Sequence, residues 1–268
     1  NRDRYLLGRQ FMVVLIVFII NVSGGPLKDA ELWGLPSVVT DIFLVTGVAM
    51  ILLTAMVGQL TSQVNSSHCM LDYINNYFAL FTLWVAMGIE FSGLLHSSYL
   101  IQMLVAKLAG QTIVSQEPPR DAFQNVFFWA RSLMSLAILV FCFAVTLVAL
   151  FNGQTTMWEG VPNVVAVILF FVFMSIIGLL EGMQIAFFAV AKIPKSERGN
   201  SKFAMKTCEL LFRGKGQNLP GFMIGRQLCV VSCMFFIARV TTLNIAEGDD
   251  NIFGVSDGLQ GFFNTGLL

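Results

Sequence analysis

Charge is what this sequence has least of. Only 12% of its 268 residues are Asp, Glu, Lys or Arg, about half the share of a soluble globular domain, which excludes a soluble protein. The charges balance at 16 basic and 16 acidic, leaving no basic field for nucleic acid and no acidic tail. The five cysteines, Cys69, Cys142, Cys208, Cys229 and Cys233, are odd in number and scattered, so they form no disulfide framework. There are only two histidines, His68 and His96. A membrane enzyme using Glu181 or Glu90 as acid or base would need such a partner, and both histidines sit near span ends, far from Glu181 in sequence. No signal-peptide h-region or cleavage site precedes the first apolar run.

What is present is apolar: 56% of the chain, including 25 Phe. The expected fold class is therefore an all-α integral membrane protein, a polytopic helical bundle in the lipid bilayer. Apolar segments fall near Tyr5–Val22, Ser37–Leu60, Ile74–Leu95, Val126–Phe151, Val164–Ile193 and Gly221–Leu243, with a seventh beginning near Leu259; these are spans A to G. Span E exceeds the about 20 residues a straight helix needs and carries Glu181, Gly182 and Gln184, so a break or re-entrant turn is expected there. His96–Gly110 reads as an interfacial amphipathic helix rather than an eighth span. The chain starts at Asn1 and stops at Leu268 inside an apolar run, and is expected to be an internal piece of a longer polypeptide.

Lys and Arg in short loops set orientation. The E–F loop holds Lys192, Lys195, Arg198, Lys202, Lys206, Arg213 and Lys215, and Lys28, Lys107 and Arg120 lie on the same side. Only Arg2, Arg4 and Arg9 oppose them. Charge alone makes the E–F loop cytoplasmic and places the Asn65-Ser66-Ser67 sequon outside, in the B–C loop.

Gly8-Arg9-Gln10 opens span A and Gly225-Arg226-Gln227 opens span F. The 13 residues from each glycine, GRQFMVVLIVFII and GRQLCVVSCMFFI, match at Gly, Arg, Gln, Val, Val, Phe and Ile. Phe43, Thr46 and Gly47 find counterparts in Phe262, Thr265 and Gly266. Five spans, an odd number, separate the two copies, so the second enters from the opposite face, the inverted-repeat signature of secondary transporters. Residues 1–180 then hold later spans of a first repeat and the start of a second. Residues 181–268 hold the second repeat's motif region.

An ionisable group in hydrocarbon is a site hypothesis by default, which singles out Asp41, Glu90, Arg131, Glu181, Arg226 and Arg239. The plain alternative is mutual pairing, such as Arg131 with Glu90 as a helix lock. Glu181 and Gln184 share a helix face, Gly182 weakens the helix beside them, and Gln227 adds an amide next to Arg226, which can pair with Glu181. Amides and carboxylates around a small cavity suit a neutral polyhydroxylated solute. His68, Cys69 and Asp72 are weak grounds for a soft-metal site; the simpler reading has Asp72 capping span C while Cys69 and Met70 pack. Cys229 and Cys233, one turn apart, and Gly88, Ser92 and Gly93 read as helix contacts.

Together, E-G-M-Q (Glu181 to Gln184), the two G-R-Q triplets, the basic IPKSERG (Ile193 to Gly199) and C-M-L-D (Cys69, Met70, Leu71, Asp72) resemble the silicic acid (silicon) transporters of diatoms, over essentially the whole chain. The resemblance implies ten spans in two five-span repeats, sodium-coupled uptake of orthosilicic acid at the plasma membrane, and the E-G-x-Q and G-R-Q motifs as substrate site. The role of C-M-L-D is left open. In that reading Glu181, Gln184, Gln227 and Gln10 bond the silanol groups, Gly8, Gly182 and Gly225 open the backbone, and Arg9 and Arg226 brace the carboxylates. No cofactor is expected; sodium is the suspected coupling ion, with Asp41, Glu90 or unwound carbonyls as hard oxygen ligands. A passive channel for small neutral hydroxylated solutes is the alternative. A cytoplasmic N-terminus, usual in the family, puts the E–F loop outside, against the charge count, and the repeat is given the greater weight.

Overall fold

The computed structural model describes residues 2–23, 34–45, 47–110, 121–157, 160–194, 198, 201–214 and 218–243. The seventh span, the counterparts Phe262, Thr265 and Gly266, Thr46, and the basic residues Lys28, Arg120, Lys195 and Lys215 lie outside them. The described residues are helical apart from connections and one isolated bridge, Thr155 to Leu243. This is the backbone solution hydrocarbon demands, because a helix pairs its own N–H and C=O groups.

The helices are α1 (Arg2–Ser23), α2 (Ser37–Thr40), α3 (Val48–Leu53), α4 (Thr61–His68), α5 (Met70–Ile74), α6 (Tyr77–Ser92), α7 (Ser97–Leu108), α8 (Ala122–Asn152), α9 (Asn163–Ala191), α10 (Lys202–Leu211) and α11 (Asn218–Thr241). Two π-helical stretches, π1 (Asp41–Val45) and π2 (Thr54–Leu60), adjoin α2 and join α3 to α4. Among the described residues four segments are long and apolar enough to cross a bilayer: Val48–Ser66, α8, α9 and α11. A fifth arises if α6 and α7, bent 72° to each other, count as one broken span. In α1 the apolar part is Tyr5–Asn21 only.

Several expectations are corrected. Span B is not continuous over Ser37–Leu60: Gly47 interrupts it with φ +80°, a left-handed conformation that favours glycine, and the spanning helix runs later, through π2 to α4. The sequon Asn65-Ser66-Ser67 therefore lies in α4 rather than in a loop. Span E is unbroken, since α9 runs straight through Glu181 and Gly182; one glycine costs a helix about 1 kcal/mol, too little to break 29 residues. Asp72 does not cap span C. It sits exposed in α5, and Asn76 caps α6 by accepting from Ala79 N at 2.8 Å. Nor do Cys69 and Met70 pack, for both are exposed. His96–Gly110 holds the helix α7, which leaves α6 at Gly93 (φ +83°). The helix α10 was not expected from hydropathy. All five cysteines are free.

The chain forms two compact units. The first, Asn1–Ile16 with Cys69–Ala149, includes the start of α1, α6, α7 and most of α8. There Gly8 lies so close to the Ala86 carbonyl that a Cβ would collide with it, and Gly93 lies against the Arg131 side chain. Gly88 faces open space. The guanidinium of Arg131 turns to the Phe91 carbonyl at 2.8 Å and stacks 4.6 Å from the Phe127 ring centre, rather than pairing with Glu90.

The second unit, Val17–His68 with Leu150–Leu267, is organised by α11, whose buried residues include Arg226, Gln227, Val231, Phe235, Ala238 and Val240. Near-turn spacing of these positions puts them on faces that meet α9 on one side and α3 and π2 on the other. Ile51, Ala55, Val231 and Phe235 form one apolar cluster, and Leu150, Ala166, Phe170 and Val240 another. Asn163 Nδ2 bonds the Phe151 carbonyl at 2.8 Å, tying the end of α8 to the start of α9.

Gly47 also abuts Phe235, whose ring occupies the place of a Cβ. Gly47→Ala is expected to destabilise the detergent-solubilised protein by about 1–3 kcal/mol, from backbone strain and the displaced ring. Gly58→Ala, where a Cβ meets open space, should leave the melting temperature almost unchanged. Equal melting temperatures for the two variants would contradict this role of Gly47.

Candidate functional site

Three spanning helices of the second unit bring polar side chains together at similar depth. Glu181 lies four residues past the middle of α9 and Arg226 three to four before the middle of α11, each about 6 Å from its helix centre at 1.5 Å per residue. Gln59 lies near the middle of Val48–Ser66. Side chains at this depth leave water behind, so each must find a partner in the protein.

They do so in a chain. Arg226 Nη1 donates to Glu181 Oε1 at 3.0 Å, and Arg226 Nη2 donates to Gln227 Oε1. Gln227 Nε2 donates to Gln59 Oε1, and Gln63 Nε2 reaches Gln227 Oε1 at 3.4 Å. The guanidinium is almost wholly buried, at 2% side-chain exposure, while Glu181 retains 27%. The carboxylate thus forms the open edge of the cluster and the guanidinium its closed floor.

π2 is what aims Gln59. Its wider turn shifts the phase of the helix by part of a turn, and Thr61 Oγ1 bonds the Met56 carbonyl five residues back, at 2.6 Å. Gln59 and Gln63, one turn apart, then face Gln227. Sequence reasoning missed both. The available signal was the Gln-Leu-Thr-Ser-Gln spacing, which a span ending at Leu60 relegates to the membrane edge.

The hydrogen-bond account of the cluster is incomplete in an informative way. Buried Arg226 Nε has no acceptor among the described residues. Gln59 Nε2, Gln63 Oε1, Glu181 Oε2 and one N–H of Gln227 spend no side-chain bond among the described residues. Gln184, three residues from Glu181 and half-buried, makes no side-chain hydrogen bond among them. The cluster therefore offers both donors and acceptors beyond those that hold it together.

The remaining predicted residues sit elsewhere. Gly8, Arg9 and Gln10 belong to the first unit. Gly182 and Gly225 face open space within unbroken helices, and Gly8 serves close packing, so none of the three opens the backbone. Asp41 is exposed in π1. Glu90 and His96 are buried in the first unit, with Nε2 3.8 Å from Oε1, so His96 is beside Glu90 despite its place near a span end. Cys69, Met70, Leu71 and Asp72 are all exposed. No three His, Cys, Asp or Glu side chains among the described residues gather as a metal site.

Breaking the ion pair should be asymmetric. Glu181→Leu leaves a buried guanidinium without its counter-charge and is expected to cost about 3 kcal/mol. Arg226→Leu leaves the more exposed carboxylate and should cost less. The double variant should fall well short of the sum, a coupling of about 1–3 kcal/mol measurable by thermal denaturation in detergent. Additive losses would show that the two charges are not energetically paired.

The sequence was also compared with known proteins. No curated protein and no solved structure matches it. The sequence signature of one family, described as silicon transporter, matches residues 1–268, the whole chain. The helices fit that match: among the described residues four or five segments are long and apolar enough to cross a bilayer, as a multi-pass membrane protein requires. The chain belongs to the silicon transporter family, a family of transporters rather than enzymes, and this membership points to the transport of silicic acid.

Proposed function

We propose that the protein imports orthosilicic acid by sodium-coupled secondary active transport at the plasma membrane, and that the cluster of Glu181, Arg226 and Gln227 with Gln59, Gln63 and Gln184 is its binding site. The observation that carries this reading is the unspent hydrogen-bonding capacity beside the half-open Glu181 carboxylate: Glu181 Oε2, Gln59 Nε2 and the Gln184 amide spend no side-chain bond among the described residues. Orthosilicic acid is a neutral tetrahedron of four hydroxyls, each able to donate and to accept. An amide-rich cluster complements it, and a guanidinium already neutralised by Glu181 adds donors without selecting an anion. Binding through side chains alone is consistent with the unbroken α9 and α11.

The inverted repeat belongs to the same proposal. Gly8-Arg9-Gln10 is the first copy of the α11 triplet, and a partner E-G-x-Q for it lies upstream of Asn1 in this reading, giving five spans and five. The odd count of intervening spans holds when α1 crosses and the bent pair α6–α7 crosses as one broken span. If that pair is re-entrant, the count becomes even and the copies run parallel. Asp41 and Glu90 remain the carboxylate candidates for sodium.

Uptake of radiolabelled silicic or germanic acid into proteoliposomes tests the proposal, using the full-length protein with and without an inward sodium gradient. Sodium-driven accumulation is expected. Gln184→Ala should raise the half-saturating concentration about tenfold, the worth of one or two hydrogen bonds, without a loss of stability, since the Gln184 side chain makes no hydrogen bond among the described residues. Equilibration without accumulation would favour a passive channel. Accumulation unchanged by Gln184→Ala would move the substrate site elsewhere.

A further inference from the structure

We propose that α10 lies on the membrane surface and binds the anionic headgroups of phospholipids in the bilayer that α9 and α11 cross. Chain connectivity gives the first argument. α10 follows the end of α9 at Ala191 and precedes the start of α11 at Asn218, and both flanking helices are long and apolar enough to span. A short helix between two such segments is confined to the bilayer edge.

Its attachment is firm. Ser201 Oγ caps the helix by accepting from Ala204 N at 3.1 Å. Asn218 Nδ2 bonds the Leu210 carbonyl at 2.5 Å, fastening the end of α10 to the start of α11. Arg198 Nε donates to the Ile193 carbonyl at 2.9 Å while its guanidinium lies 4.2 Å from the Phe212 ring centre, joining the two ends of the connection.

The faces of α10 give the second argument. At about 100° per residue, Ala204, Cys208 and Leu211 share one side, and these are its partly or fully buried residues. Lys202, Lys206 and Glu209 share the opposite side within about 60°. Phe203, 85% exposed, and Leu210, 49% exposed, project between the two. An apolar flank beside a lysine stripe is the pattern of a helix that dips aromatic and aliphatic side chains among acyl chains and holds ammonium groups at headgroup level. Lys202, Lys206 and Arg213 are exposed and make no ion pair among the described residues. Across residues 192–215 seven Lys or Arg stand against Glu197 and Glu209 alone, so the surface is complementary to phosphate and carboxylate headgroups.

The test uses Phe203→Trp in the full-length protein, reconstituted in bilayers mixing phosphatidylcholine and phosphatidylserine with bromine on the acyl chains of one or the other. Fluorescence quenching above the wild-type background reports which lipid touches the site. Because each lysine at an anionic surface contributes about fivefold, phosphatidylserine is expected to quench with a relative association constant of about 5 or more. Adding Lys202→Gln and Lys206→Gln should return the ratio to about 1. These residues are exposed, so folding is unaffected, and the unchanged melting temperature checks this. Absence of quenching by either lipid would overturn the surface location. Equal quenching by both, insensitive to the lysines, would overturn headgroup recognition, as would a preference abolished by millimolar inorganic phosphate, which would mark a soluble-anion site.

Discussion

Hydrocarbon tolerates a charge only when the protein supplies it a partner, and the second unit is arranged around one such pairing. The Arg226 guanidinium is buried at mid-depth in α11 and meets Glu181 on α9 at 3.0 Å. Without that contact the buried guanidinium would lack a counter-charge at this depth. The pair fixes the relative height of α9 and α11, and the apolar contacts above and below it, Phe173 on Phe236 and Phe187 on Phe222, follow from the same alignment.

A neutralised Arg226 then makes the rest of the cluster possible. Its second nitrogen orients the Gln227 amide, and that amide in turn meets Gln59 and Gln63 across the helix interface. Gly47 contributes from a distance by ending the preceding helix against Phe235, so that the helix carrying Gln59 begins later and holds it near mid-membrane. The result is a polar cluster buried on its guanidinium side and more open on its carboxylate side, with unspent amide groups among its members. A weakly bound, hydroxyl-rich solute needs such a surface, one that supplies partners to every hydroxyl yet holds few of them tightly.

Much of this was legible in the sequence where hydropathy is strong. The spans that became α8, α9 and α11 are placed within a few residues, because long apolar runs have one stable form in a bilayer. The Glu181–Arg226 pairing was readable for a similar reason, since opposite charges in hydrocarbon have few alternatives. What escaped depends on geometry that hydropathy does not encode. Gly47 sits in an apolar run and breaks it through its φ angle. Gly182 was expected to break α9 and does not, because Glu181 is satisfied by Arg226 with the helix intact. The cap of α6 passed from Asp72 to Asn76, the residue immediately before the helix, where its side chain reaches Ala79 N. Gln59 and Gln63 were hidden by the misplaced end of their span, and α10 by its mixed composition, although Ser201 is an N-cap signal in plain view.

The central claim, that this cluster receives silicic acid, is tested most directly by substrate protection. Gln184→Cys in the full-length protein is labelled with a membrane-permeant thiol reagent, with and without silicic acid, and the label is quantified at each cysteine by mass spectrometry. The account predicts that silicic acid slows labelling at position 184 and leaves exposed Cys69 unchanged. Equal labelling rates at position 184 with and without silicic acid would contradict it.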